Sequence, residues 1–245
     1  MNIIKLSAID STNLYLKNMA SINELENFTV VITDHQKSGR GQLGTKWASV
    51  KGKNLTFSIL VKVKEFEVVD QFYLSIAVSL GIFNVLREEV KTNFTIKWPN
   101  DILAEKDKVA GILIENTIGG TLIKHSIVGI GLNVNQILFP KHIENVTSLK
   151  NISNTTFNLD DLLLKIINSI QNFVQYIERK EVEPLKKMYL DAMYKFGIPS
   201  MFKDSNDAVF LGKIIDVSEN GKLVVELEDE KIRKFNLKEI KFANR

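Results

Sequence analysis

Two apolar runs, residues 109–115 (VAGILIE) and 122–130 (LIKHSIVGI), flank the pair Gly119-Gly120. Apolar runs about a two-glycine turn pair as an antiparallel hairpin, so the middle of the chain is committed to a sheet. Short β-branched or apolar stretches at 28–33 (FTVVIT) and 54–63 (NLTFSILVKV) add strands. Residues 95–98 are extended, because Pro99 forbids a helix there. Between these strands Asp70 is placed to cap a long helix. Its apolar positions Phe72, Ile76, Phe83, Leu86 and Val90 step by three, four or seven, and Leu74, Val78, Ile82 and Val85 cover the flank. A helix apolar on two sides is wedged between partners.

Beyond the hairpin the period changes to 3.6. Leu159, Leu162, Leu163, Ile166, Ile167, Ile170, Phe173, Val174 and Ile177 form one stripe, read as core packing. A second helix starts with Pro184 in its first turn and runs through Leu185, Met188, Tyr189, Ala192, Met193 and Phe196, with Gly197 and Pro199 as the stop. From about residue 198 the pattern alternates again. Strands at 209–217, 223–227 and 232–235 are separated by Asn220-Gly221 and an acidic turn at 228–230, the pattern of a small antiparallel barrel. The expected division is 1–196 and 197–245.

Composition removes several classes of function. Cysteine is absent, which excludes disulfides, thiolate metal sites and cysteine nucleophiles together. The 32 basic and 29 acidic residues leave +3, too mild a balance for a nucleic-acid coat. At 245 residues, one main domain with a small appendage is expected from a typical domain of about 150. No apolar run reaches the roughly 18 residues a membrane span requires, and the N-terminus lacks the pattern of a signal peptide. A cytoplasmic protein is expected.

Four segments carry candidate chemistry. Gly39-Arg40-Gly41-Gln42-Leu43-Gly44 lies between two strands, with Lys37 and Lys46 beside it. Three glycines in six residues let backbone N–H groups close on an anion; the same stretch also reads as a flexible surface loop. It is neither a P-loop nor a dinucleotide fingerprint, since no Gly-Lys-Ser/Thr and no helix follows. Lys97-Trp98-Pro99-Asn100-Asp101 puts a lysine in a strand among apolar neighbours, where it needs an anionic partner or an exit to water. Lys108 stands seven residues past Asp101 and reads equally as a turn lysine. Gly129-Ile130-Gly131-Leu132-Asn133-Val134-Asn135 ends a strand in small residues and amides, suited either to a flat ligand or to a strand kink. Asp10-Ser11-Thr12-Asn13 is an N-cap cluster. His35, His125 and His142 show no metal-ligand spacing, so no metal site is expected.

Together and in order, Ser11-Thr12-Asn13, the stretch 36–44 with Lys46-Trp47, KWPNDI from Lys97, KVAGILIE from Lys108 and GIGLNVN from Gly129 resemble the biotin–protein ligases. The resemblance covers roughly residues 1–196. It implies an α+β fold in which helices pack on a central mixed β-sheet, the class II synthetase-like biotin ligase catalytic domain, followed by a small C-terminal SH3-like β-barrel. It implies a ligase that joins biotin to ATP as biotinyl-5′-adenylate and then passes it to a carrier lysine. Both steps place negative charge on phosphoryl and carboxylate oxygens, which fixed donors and cations stabilise.

By resemblance, Arg40, Lys97, Lys108 and Asp101 are the catalytic set. Biotin would meet Ser11, Thr12, Asn13, Gln36, Gly39, Arg40, Gly41, Lys108 and Gly111, and ATP would meet Arg40, Trp47, Lys97, Asn100, Lys108 and Asn133. Trp47 is expected to stack on adenine. Well-known members carry a second arginine where this chain has Gln42, so looser retention of the adenylate is expected. The resemblance implies ATP with Mg2+, biotin as substrate, and the biotin carboxyl carrier domain of acetyl-CoA carboxylase or another biotin-dependent carboxylase as partner. It implies no DNA and no membrane, and it is compatible with a homodimer. A lipoate–protein ligase is the nearest alternative. A nucleic-acid-binding module built on the basic loop and the barrel is the alternative from a different class, opposed by the acidic 228–230 turn.

Overall fold

The computed structural model describes residues 2–243. Seven strands form the main sheet: β1 (Ile3–Leu6), β2 (Val30–Thr33), β3 (Leu55–Val61), β4 (Phe94–Lys97), β5 (Asp101–Ala104), β6 (Asp107–Gly119) and β7 (Leu122–Leu132). They lie in the order β1-β2-β3-β7-β6-β5-β4. Only β1 and β2 run parallel, so the sheet is mixed. The expected hairpin is β6–β7, with Gly119 opposite Leu122.

β3 explains the layering. All seven of its residues are buried, as in a strand covered on both faces. Leu55, Phe57, Ile59 and Val61 point into the large core. That core is shared with α2 (Gln71–Glu89), α4 (Leu159–Glu178) and α5 (Val182–Asp191). The alternate residue Leu60 joins Leu16, Val31 and Ile127 beneath α1 (Thr12–Ile22), on the opposite face. Thr56 and Ser58 share that opposite face by the two-residue period. The segment Val68–Glu89 is long and apolar enough to cross a membrane by length and composition, but here it is packed against α4, α5 and the sheet.

Several expectations need correction. Asp70 stands at the N-cap position of α2 without a side-chain capping bond. Burial and the nearby carboxylates Glu67 and Glu219 raise its carboxyl pKa, so Asp70 adds to an acidic cluster rather than closing the helix. The helix expected to run to Phe196 ends at Asp191. Residues 192–194 instead line the edge of β4: Ile96 N donates to Ala192 O (2.8 Å), and Tyr194 N donates to Ile96 O (2.9 Å). Their apolar spacing reflects burial against that edge. α3 (Leu149–Ser153), β1 and β5 had been missed; elements of four or five residues are too short to express a period.

The C-terminal strands are β8 (Ser200–Asp204), β9 (Val209–Val217), β10 (Leu223–Leu227), β11 (Ile232–Phe235) and β12 (Ile240–Phe242). They form a five-stranded antiparallel sheet in the order β11-β10-β9-β8-β12. The expected closed barrel is not formed among the described residues, because β11 and β12 each pair with a single neighbour. The three residues of β12 spend their ladder on β8.

Tyr189 is fully buried, lies edge-on to Phe72 at 6.0 Å, and its hydroxyl has no hydrogen-bond partner within the protein. Burial alone pushes its phenol pKa up. An unpartnered buried hydroxyl costs free energy that its removal recovers. Tyr189→Phe is therefore expected to stabilise the fold by about 1 kcal/mol, read by thermal unfolding. A fall of that size would mean the hydroxyl is satisfied.

Candidate functional site

A cleft of about 570 Å³ opens on the α1 face of the sheet. Its floor is made by Thr56 of β3, Gly129 and Gly131 of β7 and Gly111 of β6. These glycines leave room that other residues fill. A Cβ on Gly129 would lie 2.3 Å from Asn13 Oδ1, and one on Gly131 would lie 2.2 Å from Trp47 Cε2. Either approach is too close for any side chain.

At one end, α1 brings a polar network to the floor. Ser11 caps the helix by accepting from Leu14 N. Thr12 N and Oγ1 donate to Gln36 Oε1 at 2.9 and 3.2 Å. Ser58 Oγ donates to Asn13 Oδ1 (2.6 Å) and shares a 2.7 Å hydrogen bond with Thr12 Oγ1. Asn13 Nδ2 donates to Glu115 Oε2 at 2.7 Å. The orientation of each amide and hydroxyl is thereby set within the protein, an arrangement suited to a ligand group with both donors and acceptors.

Cations gather over the rest of the cleft. Residues 39–47 form a turn closed by Gly41 N to Thr45 O (2.7 Å) and Trp47 N to Gly39 O (3.0 Å). This places Arg40, exposed, with Nη2 3.9 Å from Glu115 Oε2. Lys108 lies across Gly111, where a Cβ would meet its Nζ at 2.9 Å. Its ammonium pairs with Asp101 Oδ1 at 2.6 Å and sits 5.7 Å from the Trp47 ring centre. Lys97 enters from β4, its ammonium 5.9 Å from the Phe242 ring. Between Lys97 and Asp101, Asn100 Nδ2 donates to Ile112 O at 2.6 Å, and Ile112 N returns a bond to Asn100 O at 3.0 Å.

Of the sequence-derived candidates, Ser11, Thr12, Asn13, Gln36, Arg40, Gly41, Trp47, Lys97, Asn100, Asp101, Lys108 and Gly111 line this one cleft. Gly39 and Asn133 do not. Gly39 is buried under Trp47, where a Cβ would lie 2.2 Å from the Trp47 carbonyl oxygen. Asn133 is 2% exposed and its Nδ2 donates to Thr147 O at 3.0 Å. Its amide is spent on holding the following loop rather than facing the cleft.

Sequence reasoning had missed Thr56 and a wall from the C-terminal sheet, including Phe202, Leu223, Lys238, Lys241 and Phe242. Apart from the strand alternation itself, nothing near these residues in sequence marks them. The Thr56 hydroxyl and the Trp47 indole N–H are both buried without a hydrogen-bond partner within the protein. Among the described residues no group of three or more His, Asp or Glu is placed to hold a metal ion.

A buried polar end, a smooth floor and a cationic roof suit an elongated acid activated by a polyanion. Comparison with known proteins agrees. The family model described as biotin/lipoate A/B protein ligase matches residues 6–133, just over half of the chain. The chain is similar to a solved biotin protein ligase from Aquifex aeolicus in complex with biotin and ATP, with TM-score 0.83, 29% identity and 99% of both chains covered. It is 26% identical over 232 residues to the bifunctional ligase/repressor BirA of Bacillus spizizenii, covering 93% of this chain and 70% of that protein. It is 33% identical over 129 residues to the biotin--[acetyl-CoA-carboxylase] ligase of Mycobacterium tuberculosis, covering 51% and 47% respectively.

Proposed function

Since the chain belongs to the biotin/lipoate A/B protein ligase family, we propose that its cleft condenses biotin with ATP and transfers the biotinyl group to a lysine of a carboxylase carrier domain. One observation carries this reading: Arg40 on the 39–47 turn, Lys97 on β4 and Lys108 on β6 converge on one cleft whose other end is a closed polar network.

Each residue then has a task. Ser11, Thr12, Asn13 and Gln36 hold the ureido ring, whose paired N–H groups and carbonyl need buried complements. Gly129, Gly131 and Gly111 let the acyl chain lie flat on the floor, with Trp47 against it and the adenylate. In the first step the biotin carboxylate attacks the α-phosphorus and pyrophosphate leaves. Arg40, Lys108 and the backbone N–H groups of the 39–44 stretch stabilise the charge that develops there. Lys97 and Asn100 serve the phosphate end. Asp101 holds Lys108 in place and is the nearest carboxylate able to accept a proton from the incoming carrier amine in the second step, in which AMP leaves. Magnesium enters with the phosphates of ATP. With Asp101 already on Lys108, the donor set fits a nucleotide-borne cation rather than a resident one.

We divide the chain at 196/197 into a catalytic unit and a C-terminal unit read as SH3-like, and we place the enzyme in the cytoplasm. The test is incubation with ATP and either biotin or lipoate, with mass detection of the acyl-adenylate. Biotinyl-adenylate is expected. Lipoyl-adenylate alone would transfer the assignment to the other branch of the family.

A further inference from the structure

The C-terminal sheet reaches the segment that carries two of the charged groups of the cleft. Trp98 directly follows Lys97 and stands three residues before Asp101. Its indole N–H donates to the Gly221 carbonyl oxygen at 2.9 Å, across 123 residues of sequence. Trp98 is 9% exposed, so no free water competes easily for that N–H.

The turn can come this near only because residue 221 is glycine. Its φ is +81°, and a Cβ there would lie 2.6 Å from Phe72 Cδ2. Gly221 N closes the turn on Ser218 O at 2.8 Å. The turn is therefore wedged between Phe72 of α2 and the Trp98 indole. The far end of the segment is pinned by the Asn100–Ile112 pair of hydrogen bonds. Lys97 itself meets the same C-terminal sheet through the Phe242 ring.

We propose that the Asn220-Gly221 turn is a positioning element for nucleotide binding, holding Trp98 and through it the place at which Lys97 presents its ammonium to the phosphates of ATP. Trp98 is here a positioning residue and Lys97 the group it serves. The inference rests on the reading of Lys97 as a phosphate contact.

Trp98→Phe keeps a packed ring and deletes only the donor. The KM for ATP is expected to rise roughly 5- to 10-fold, the size of one net hydrogen bond, while the KM for biotin and the melting temperature stay near wild type. The decisive comparison is the same substitution in a Lys97→Ala background. There the further change in ATP KM is expected to fall below about 2-fold, because residues acting along one route are not additive. A full effect in that background, or equal rises in both KM values, would overturn the proposal. Hydrogen exchange judges it without any turnover. Gly221→Ala should speed exchange of the amides of residues 97, 98, 100 and 101, and unchanged exchange would also overturn it. Absence of any acyl-adenylate from the wild-type protein would instead sink the functional reading.

Discussion

Lys108→Ala is expected to slow acyl-adenylate formation by on the order of 10² or more, as for loss of a cation aimed at developing charge. Lys108 is the best-placed cation of the cleft. Its ammonium is held by Asp101 at 2.6 Å, faces the Trp47 ring at 5.7 Å and lies directly over Gly111. Removing it does more than subtract one positive charge. The Asp101 carboxylate, with a side chain only 19% exposed, is left facing an anionic substrate without its counter-ion. Lys108→Ala with Asp101→Asn should therefore form the adenylate faster than Lys108→Ala alone. Single-turnover measurement of adenylate reads both effects, and a wild-type rate in Lys108→Ala would remove the residue from the site.

Gly131→Ala should weaken biotin binding about 10-fold or more. The added methyl would sit 2.2 Å from Trp47 Cε2 and 2.5 Å from Trp47 Cζ2, so the indole must leave its seat. Forcing a methyl into a filled space costs about 1–3 kcal/mol, and 1.4 kcal/mol is a factor of ten in affinity. The chain has two tryptophans. Calorimetric titration with biotin, alongside fluorescence in a Trp98→Phe background, reports the affinity and the Trp47 environment separately. Unchanged affinity with an unchanged emission spectrum would show that the floor yields and that Trp47 does not depend on it.

The comparison between sequence and structure is instructive residue by residue. The β6–β7 hairpin, the stripe of α4 and the strands around Asn220-Gly221 were legible, because each rests on a period or turn carried within about ten residues. Ala192 and Met193 misled, since burial against the edge of β4 produces the same spacing as burial on a helix. Arg40, Lys97 and Lys108 stood out through charge set among glycines or apolar neighbours. Glu115 and Ser58 did not, although both complete the polar network at the α1 end. A carboxylate at the end of an apolar strand and a serine inside one carry no mark until the opposing helix is in place.

Local chemistry, then, was enough to say where this chain bends, which stretches alternate and which side chains bring charge. It could not say that Asn133 would turn inward to Thr147 O while Asn13 turned onto the floor, or that a turn at residue 221 would hold Trp98. Those outcomes depend on strand register and on how the two sheets meet. Register and packing are set by the total surface buried across contacts more than a hundred residues apart, a sum that no single stretch of polypeptide contains.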